Sequence, residues 1–145
     1  MNQSEKHIKS YLKRISNILV INGGFLDSPG LYTGEMGLAV FFFHYASYTK
    51  NEIYSDYGYN LIEKMQNRIH QETSIEYKHG LTGIGSSIEY LVQNGYIEED
   101  TDEILEDFDN RIFSIQISPQ LPVEDVMSIR YYTYWIVTNH QTRRK

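Results

Sequence analysis

The stretch 77-YKHGLTGIGSSIEYLVQNGY-96 decides the fold, because the earlier stretch 31-LYTGEMGLAVFFFHYASYTK-50 has the same pattern. At an offset of 46 residues, Gly34 aligns with Gly80 and Gly37 aligns with Gly83. In each copy the two glycines stand about one helical turn apart at the start of a predicted helix. Glycine lacks a Cβ, so it lets another backbone approach closely and lets a loop adopt positive φ. The repeat therefore predicts two similar helices with tightly packed entry loops.

Both of these helices are rich in apolar residues. Residues 34–47 leave almost no polar face, which is typical of a buried helix. A buried strand is the alternative, but the stretch is bounded by glycine and is long for a strand. The second copy runs on through Ile84, Ile88 and Leu91 and ends at Asn94-Gly95, a helix stop signal. We therefore expect two inner, buried helices.

Amphipathic segments accompany the inner helices. Residues 4–20 and 55–71 carry apolar side chains at helical spacing, with polar residues between them. The segment 104–112 aligns with 61–69 at an offset of 43, and the tripeptide Asn-Arg-Ile recurs in both. Self-similarity with a period in the forties is typical of stacked helical hairpins, because one hairpin cannot bury its apolar face alone.

The predicted fold is all-α, a single domain of stacked α/α hairpins over residues 1–145. Its repeat units cover about 4–72 and 73–116. Pro119 and Pro122 then break the chain, and a partial third unit is expected over 117–145.

Composition excludes several classes of function. The formal charge is -6, and lysine and arginine are scattered except at the end of the chain, so nucleic acid is not an expected partner. No apolar run approaches the roughly 18 residues of a membrane span, and the first twenty residues lack the apolar core of a secretory signal. A cytoplasmic location is expected. The absence of cysteine excludes disulfides, thiolate nucleophiles and cysteine-ligated metals.

The sequences "GLYTGEMGLAVF" and "HGLTGIGSSIEYL" resemble the G-x-x-G-[I/L]-[A/G] repeat of lanthionine synthetase C-like (LanC-like) proteins, over about residues 20–113. The resemblance implies an α/α toroid around a central cavity, here incomplete, with about half of the hairpins. It implies a link to lantibiotic biosynthesis, in which zinc enzymes add a peptide cysteine thiol to a dehydrated serine or threonine. The family's zinc ligands, two cysteines and a histidine, belong to later repeats. No cofactor is therefore expected in this chain, and zinc only where those repeats are supplied.

The same resemblance implies one catalytic residue. His79, directly before Gly80, matches the family's His-Gly element, whose histidine serves as an acid and base beside the cavity. An ordinary imidazole titrates near neutral pH, which suits that role. The alternative is a polar cap or loop contact at the helix entry. Gly34, Gly37, Gly80 and Gly83 are the expected structural motif of the site.

Other polar residues are weaker candidates. The histidines lack His-x-x-x-His spacing, so an all-histidine zinc site is not favoured, and His44, inside the first inner helix, is interpreted as a core histidine. Asp27, Glu35 and Glu89 lie near the glycine entries. A toroidal glycosidase would need two such carboxylates facing each other across a cleft. Contacts with solvent or a helix end are the simpler expectation for all three.

An incomplete stack leaves one apolar side uncovered, and large exposed apolar patches are rare in soluble monomers. We therefore expect self-association, a partner protein or a longer chain. Tyrosine is abundant, with 13 residues, and suits either the rim of a core or such an interface. Three functions stay open. They are a LanC-like protein, or the N-terminal fragment of one, that acts in peptide modification, binds a peptide or a partner and is inactive alone; a carbohydrate-active hydrolase; and a structural interaction module.

Overall fold

The computed structural model describes the backbone of residues 1–143 and the side chains of residues 1–138. That part of the chain is helical and contains no strand, which confirms the all-α prediction. The helices are α1 (Gln3–Gly23), α2 (Glu35–Thr49), α3 (Glu52–Gln66), α4 (Leu81–Gln93), α5 (Thr101–Ile104), α6 (Glu106–Phe113) and α7 (Val123–Arg143). The last two residues of the predicted third unit lie outside the described residues. None of the described helices has the length and hydrophobicity needed to cross a bilayer.

Local sequence explains where the first helices begin and end. Asn2 and Glu5 form a reciprocal capping box at the start of α1. Helix α2 ends at Thr49 and is followed by Lys50, which adopts the left-handed conformation with φ of 56°. Asn51 then caps α3 by accepting a hydrogen bond from the amide of Ile53. This short connection folds α2 and α3 into an antiparallel hairpin.

The inner helices α2 and α4 form the centre of the core, so the helical interpretation of the first apolar stretch is confirmed. Helix α4 packs between α2 and α7 and also contacts α6. Tyr132 of α7 is fully buried against Gly85 of α4, and its hydroxyl donates a 2.7 Å hydrogen bond to Asp109 of α6. The described helices thus form part of an α/α toroid, with α2, α4 and α7 as its inner row.

Helix α1 is present as predicted, but its apolar stripe is largely exposed. Its predicted apolar stripe includes Ile8 and Ile15, yet these side chains are 57% and 45% exposed. Helix α1 packs mainly on α2, and at its C-terminal end Gly23 lies against Leu38 of α2 and Tyr57 of α3. The stripe is therefore a largely uncovered face rather than a face of the core.

The second outer segment also departs from a single continuous helix. Leu105, with φ of -100° and ψ of 2°, interrupts it, so α5 and α6 replace one helix. Asp100 in the acidic run before it caps α5 by accepting a hydrogen bond from the amide of Asp102.

Candidate functional site

The two glycine entries have matching backbone hydrogen bonds. The carbonyl of Ser28 accepts a 2.9 Å hydrogen bond from the amide of Glu35, and the carbonyl of Ser74 accepts a 2.8 Å bond from the amide of Leu81. Both pairs are related by the offset of 46 residues seen in the sequence. The repeated pattern therefore corresponds to a repeated loop conformation.

The second glycine of each entry faces a carbonyl of its own loop. A Cβ on Gly37 would overlap the carbonyl oxygen of Leu31, and a Cβ on Gly83 would overlap that of Tyr77. Both obstacles are backbone atoms, which a side-chain rotation cannot move. Only glycine fits these positions without a shift of the loop.

Glycine is required at the first position of each entry because there is no space for a side chain, not because the torsion angles are unusual. A Cβ on Gly34 or Gly80 would collide with the loop backbone, including the carbonyls of Ser28 and Ser74. Their φ angles are -124° and -119°, so the expectation of positive φ at these entries is wrong. Close contact between the loop and the helix start is the reason for glycine here.

His79 lies where the two entry loops meet. The amide of Tyr32 donates a 2.9 Å hydrogen bond to the carbonyl of Lys78, and Thr33 Oγ1 lies 3.4 Å from His79 Nδ1. His79 Nε2 lies 3.9 Å from a carboxylate oxygen of Glu76, and the histidine side chain is 48% exposed. No side chain caps α4, so His79 does not act as its cap. The imidazole is accessible and has a polar neighbour on each side.

Glu35 is not a solvent or cap residue, contrary to the expectation. Its side chain is fully buried, with Oε1 2.8 Å from Lys64 Nζ and 3.6 Å from Arg68 Nε. Asp27 is exposed, as expected, and lies 3.7 Å from Arg68. The buried carboxylate ties the start of α2 to the end of the α2–α3 hairpin. This is a structural role.

Glu89 is also fully buried, where exposure was expected, and it accepts a 2.6 Å hydrogen bond from Gln93 of the same helix. Glu35 and Glu89 are therefore both enclosed by protein. They do not present the pair of accessible carboxylates that a toroidal hydrolase requires.

The interpretation of His44 as a core residue is wrong, because its side chain is exposed. Its two ring nitrogens each lie 2.9 Å from a tyrosine hydroxyl, that of Tyr90 and that of Tyr96. Tyr90 stands on α4 at the position equivalent to His44 on α2. This cluster joins the exposed faces of the two inner helices.

A small cleft of about 230 Å³ opens between α2, α4 and α7. Tyr77 and Tyr131 lie on its wall with their rings edge to face, 5.1 Å apart. Burial, together with the neighbouring Tyr131, raises the pKa of Tyr77 to about 12. Tyr77 is therefore an uncharged hydrogen-bonding group at neutral pH.

The donor set does not fit the zinc site that the family implies. No cysteine occurs in the sequence, and within the described residues no three histidine, aspartate or glutamate side chains come together. The described residues bring His79 together with Thr33 and Glu76 but supply no closed set of metal ligands.

The hairpins are stacked, and the inner helices α2 and α4 follow glycine-rich loops. These features define the class as a partial α/α toroid. The sequence profile of lanthionine synthetase C-like proteins matches residues 26–128, so the chain belongs to that family. No curated protein and no solved structure matched it.

Several contacts at this site were not predicted from the sequence. Thr33 could have been found, because it occupies the position of His79 in the other copy. No sequence signal indicated the cleft, whose wall combines loop residues with residues of three helices.

Proposed function

We propose that this chain acts in peptide modification as a peptide-binding member of its family and does not close thioether rings alone. The observation that carries the proposal is the position of His79, accessible between the two entry loops, in a chain without cysteine ligands. Thioether formation in the family needs zinc to hold the substrate thiol as a thiolate. The described residues of this chain offer a candidate acid and base, but no such site.

His79 is the proposed acid and base of an assembled protein, in which other repeats supply the zinc ligands. Thr33 lies near Nδ1 of the imidazole and Glu76 lies near Nε2, and together they would hold the ring in one orientation. A histidine held in this way can protonate the enolate that forms when a thiol adds to a dehydrated residue.

The proposed partner surface is the exposed face of α7. Its exposed apolar side chains recur every three or four residues and therefore share one face: Val123, Met127, Tyr131, Tyr134 and Val137. The opposite face carries the buried Ile129, Tyr132 and Ile136. We propose that another helical hairpin, from a second copy or a partner protein, packs on this face and continues the stack.

The test uses a fluorescein-labelled peptide that contains one dehydroalanine and one cysteine. With the chain alone, the fluorescence anisotropy of the peptide is expected to rise and to saturate as the protein concentration increases. Maleimide labelling should show that the peptide keeps all of its free thiol. A peptide with alanine and serine at the two reactive positions is the control for chemistry. Absence of saturable binding would refute the proposed peptide binding, and zinc-dependent loss of the thiol with the chain alone would refute its inactivity.

The role of His79 needs a separate measurement. In a complex that closes rings, His79→Ala is expected to lower the rate about 100-fold or more, the usual contribution of acid–base catalysis. Peptide affinity and the melting temperature should stay near wild type because the side chain is half exposed. An unchanged ring-closure rate would end the acid–base assignment.

A further inference from the structure

The cleft between α2, α4 and α7 has a mostly apolar wall. Its volume of about 230 Å³ lies below the roughly 300–1,000 Å³ of sites for drug-sized ligands, so it suits a single residue of a peptide. None of its described lining residues carries a charge. The wall includes Leu31, Val40, Tyr77, Tyr131 and Trp135.

Two polar atoms of the lining residues have no hydrogen-bond partner among the described residues. They are Ser86 Oγ and Trp135 Nε1, and both are shielded from solvent. Ser86 as a whole is only 6% exposed. Folded proteins rarely leave buried polar atoms unpaired, because the desolvation of such an atom is not compensated.

Two neighbouring hydroxyls of α4, one of them on the cleft residue Ser87, have hydrogen-bond partners. On the same helix, Ser87 Oγ donates a 2.7 Å hydrogen bond to the carbonyl of Gly83, and Thr82 Oγ1 donates one of 2.7 Å to Ile75. Of these three buried hydroxyls of α4, that of Ser86 has no partner among the described residues. A ligand in the cleft would provide what Ser86 lacks.

The chemistry of the two atoms defines the ligand. An indole N–H can only donate a hydrogen bond, and a serine hydroxyl can donate as well. Two donors in a neutral, aromatic cleft favour an uncharged acceptor beside an apolar group, such as a peptide carbonyl next to an aliphatic side chain. A carboxylate or phosphate would find no cation among the described lining residues.

We propose that this cleft binds one apolar residue of a peptide, whose carbonyl accepts hydrogen bonds from Trp135 Nε1 and Ser86 Oγ. The aliphatic side chain of that residue would lie against Tyr77 and Tyr131. This inference rests on the proposed peptide-binding function and names the residue class that the chain selects.

The sequence offers a direct probe, because Trp135 is the only tryptophan and gives a single indole N–H resonance. The chain uniformly labelled with ¹⁵N is titrated with N-acetyl-leucinamide. A saturable downfield shift of the indole proton is expected. N-acetyl-glutamate amide, with a charged side chain, should leave the resonance unmoved. A shift that grows linearly without saturation, or equal shifts with both amides, would overturn the proposal.

Ser86→Ala tests the second donor. It should lower the affinity for N-acetyl-leucinamide about fivefold, the usual effect of one hydrogen bond. Ser10→Ala on the exposed surface of α1 should leave the affinity unchanged. Without ligand, Ser86→Ala should melt at or above the wild-type temperature, since it removes an unpaired polar atom. A lower melting temperature would reveal a structural partner for Ser86 and overturn the proposal, as would unchanged affinity.

The labelled peptide of the preceding section separates the two proposals. If it binds wild type and Ser86→Ala equally well, the cleft is not its site, and the proposed peptide-binding function stands without it. If N-acetyl-leucinamide binds the cleft and the labelled peptide does not bind, the cleft assignment stands and the proposed function fails.

Discussion

Thr33 Oγ1 lies 3.4 Å from His79 Nδ1, and each residue directly precedes the first glycine of its entry loop. The two loops run side by side at this point, since the amide of Tyr32 also donates to the carbonyl of Lys78. Equivalent positions of two repeat copies are thus in contact. The candidate acid and base lies at this contact, so the spacing between the copies also positions His79.

Gly83→Val should strongly destabilise the protein. The new Cβ would overlap the carbonyl oxygen of Tyr77, a backbone atom, so the loop must move. We expect a loss of about 3 kcal/mol in the free energy of unfolding, measured by urea denaturation. Gly24→Ala is the control, because a Cβ there meets nothing within 4 Å and its φ of -65° suits alanine. A wild-type denaturation curve for the valine variant would contradict the packing described for the entry.

Glu35→Gln should weaken the attachment of α2 to α3. The substitution removes the buried negative charge that faces Lys64 and Arg68. Both cations are about one-third exposed, which reduces the loss to about 2 kcal/mol by urea denaturation. Asp27→Asn removes an exposed carboxylate near the same Arg68 and should cause no measurable change. Equal effects of the two substitutions would show that burial of Glu35 does not matter.

Arg111→Lys should loosen the second entry loop. The guanidinium donates hydrogen bonds of 3.1, 2.7 and 3.1 Å to the carbonyls of His70, Gln71 and Thr73. A lysine ammonium cannot span these acceptors with the same planar geometry, so a loss of about 1–2 kcal/mol is expected in urea. Arg14→Lys on exposed α1 is the matched control. Hydrogen exchange should rise at the amide of Leu81, and protection equal to wild type would contradict the role of Arg111.

Stability should fall at high pH. Burial and the hydrogen bond to Asp109 raise the pKa of Tyr132, and burial also raises the pKa of Tyr77 to about 12. The folded state therefore retains these protons at pH values where the unfolded chain, with tyrosine pKa values near 10, releases them. The stabilisation is complete well below pH 10 and declines progressively as the pH rises above 10.

The measurement is the urea midpoint between pH 8 and 11.5. Tyr132→Phe should flatten the decline above pH 10, whereas Tyr11→Phe on the exposed surface of α1 should not. A decline that is the same in all three proteins would exclude Tyr132 as its source.

The sequence predicted the architecture well, because its strongest signals are local. Glycine spacing and apolar periodicity predicted α2 and α4, and the resemblance to LanC-like proteins is confirmed by the match over residues 26–128. The division into units at about 72 and 116 stays a prediction. The sequence also predicted helix α1 and its apolar stripe, but not that the stripe is largely exposed, because periodicity shows that a helix has an apolar face but not what covers it.

The site was less predictable. His79 was singled out from the resemblance, and its role stays a prediction. The burial of Glu35 and the exposure of His44 both contradict the sequence-based expectation. Residue type predicts burial poorly for such groups, since a carboxylate is buried when cations from another helix come close enough to pair with it.

By itself, the sequence determined that the chain is helical, that its inner helices repeat with glycine entries, and that no cysteine can hold a metal. Helical period, the missing Cβ of glycine and residue chemistry act within a few neighbouring positions, so a linear sequence displays them. Only the tertiary structure decided that Lys64 reaches Glu35 and that Ser86 and Trp135 line one cleft. These pairs come from different helices, and their contact depends on how distant segments pack, which no local pattern records.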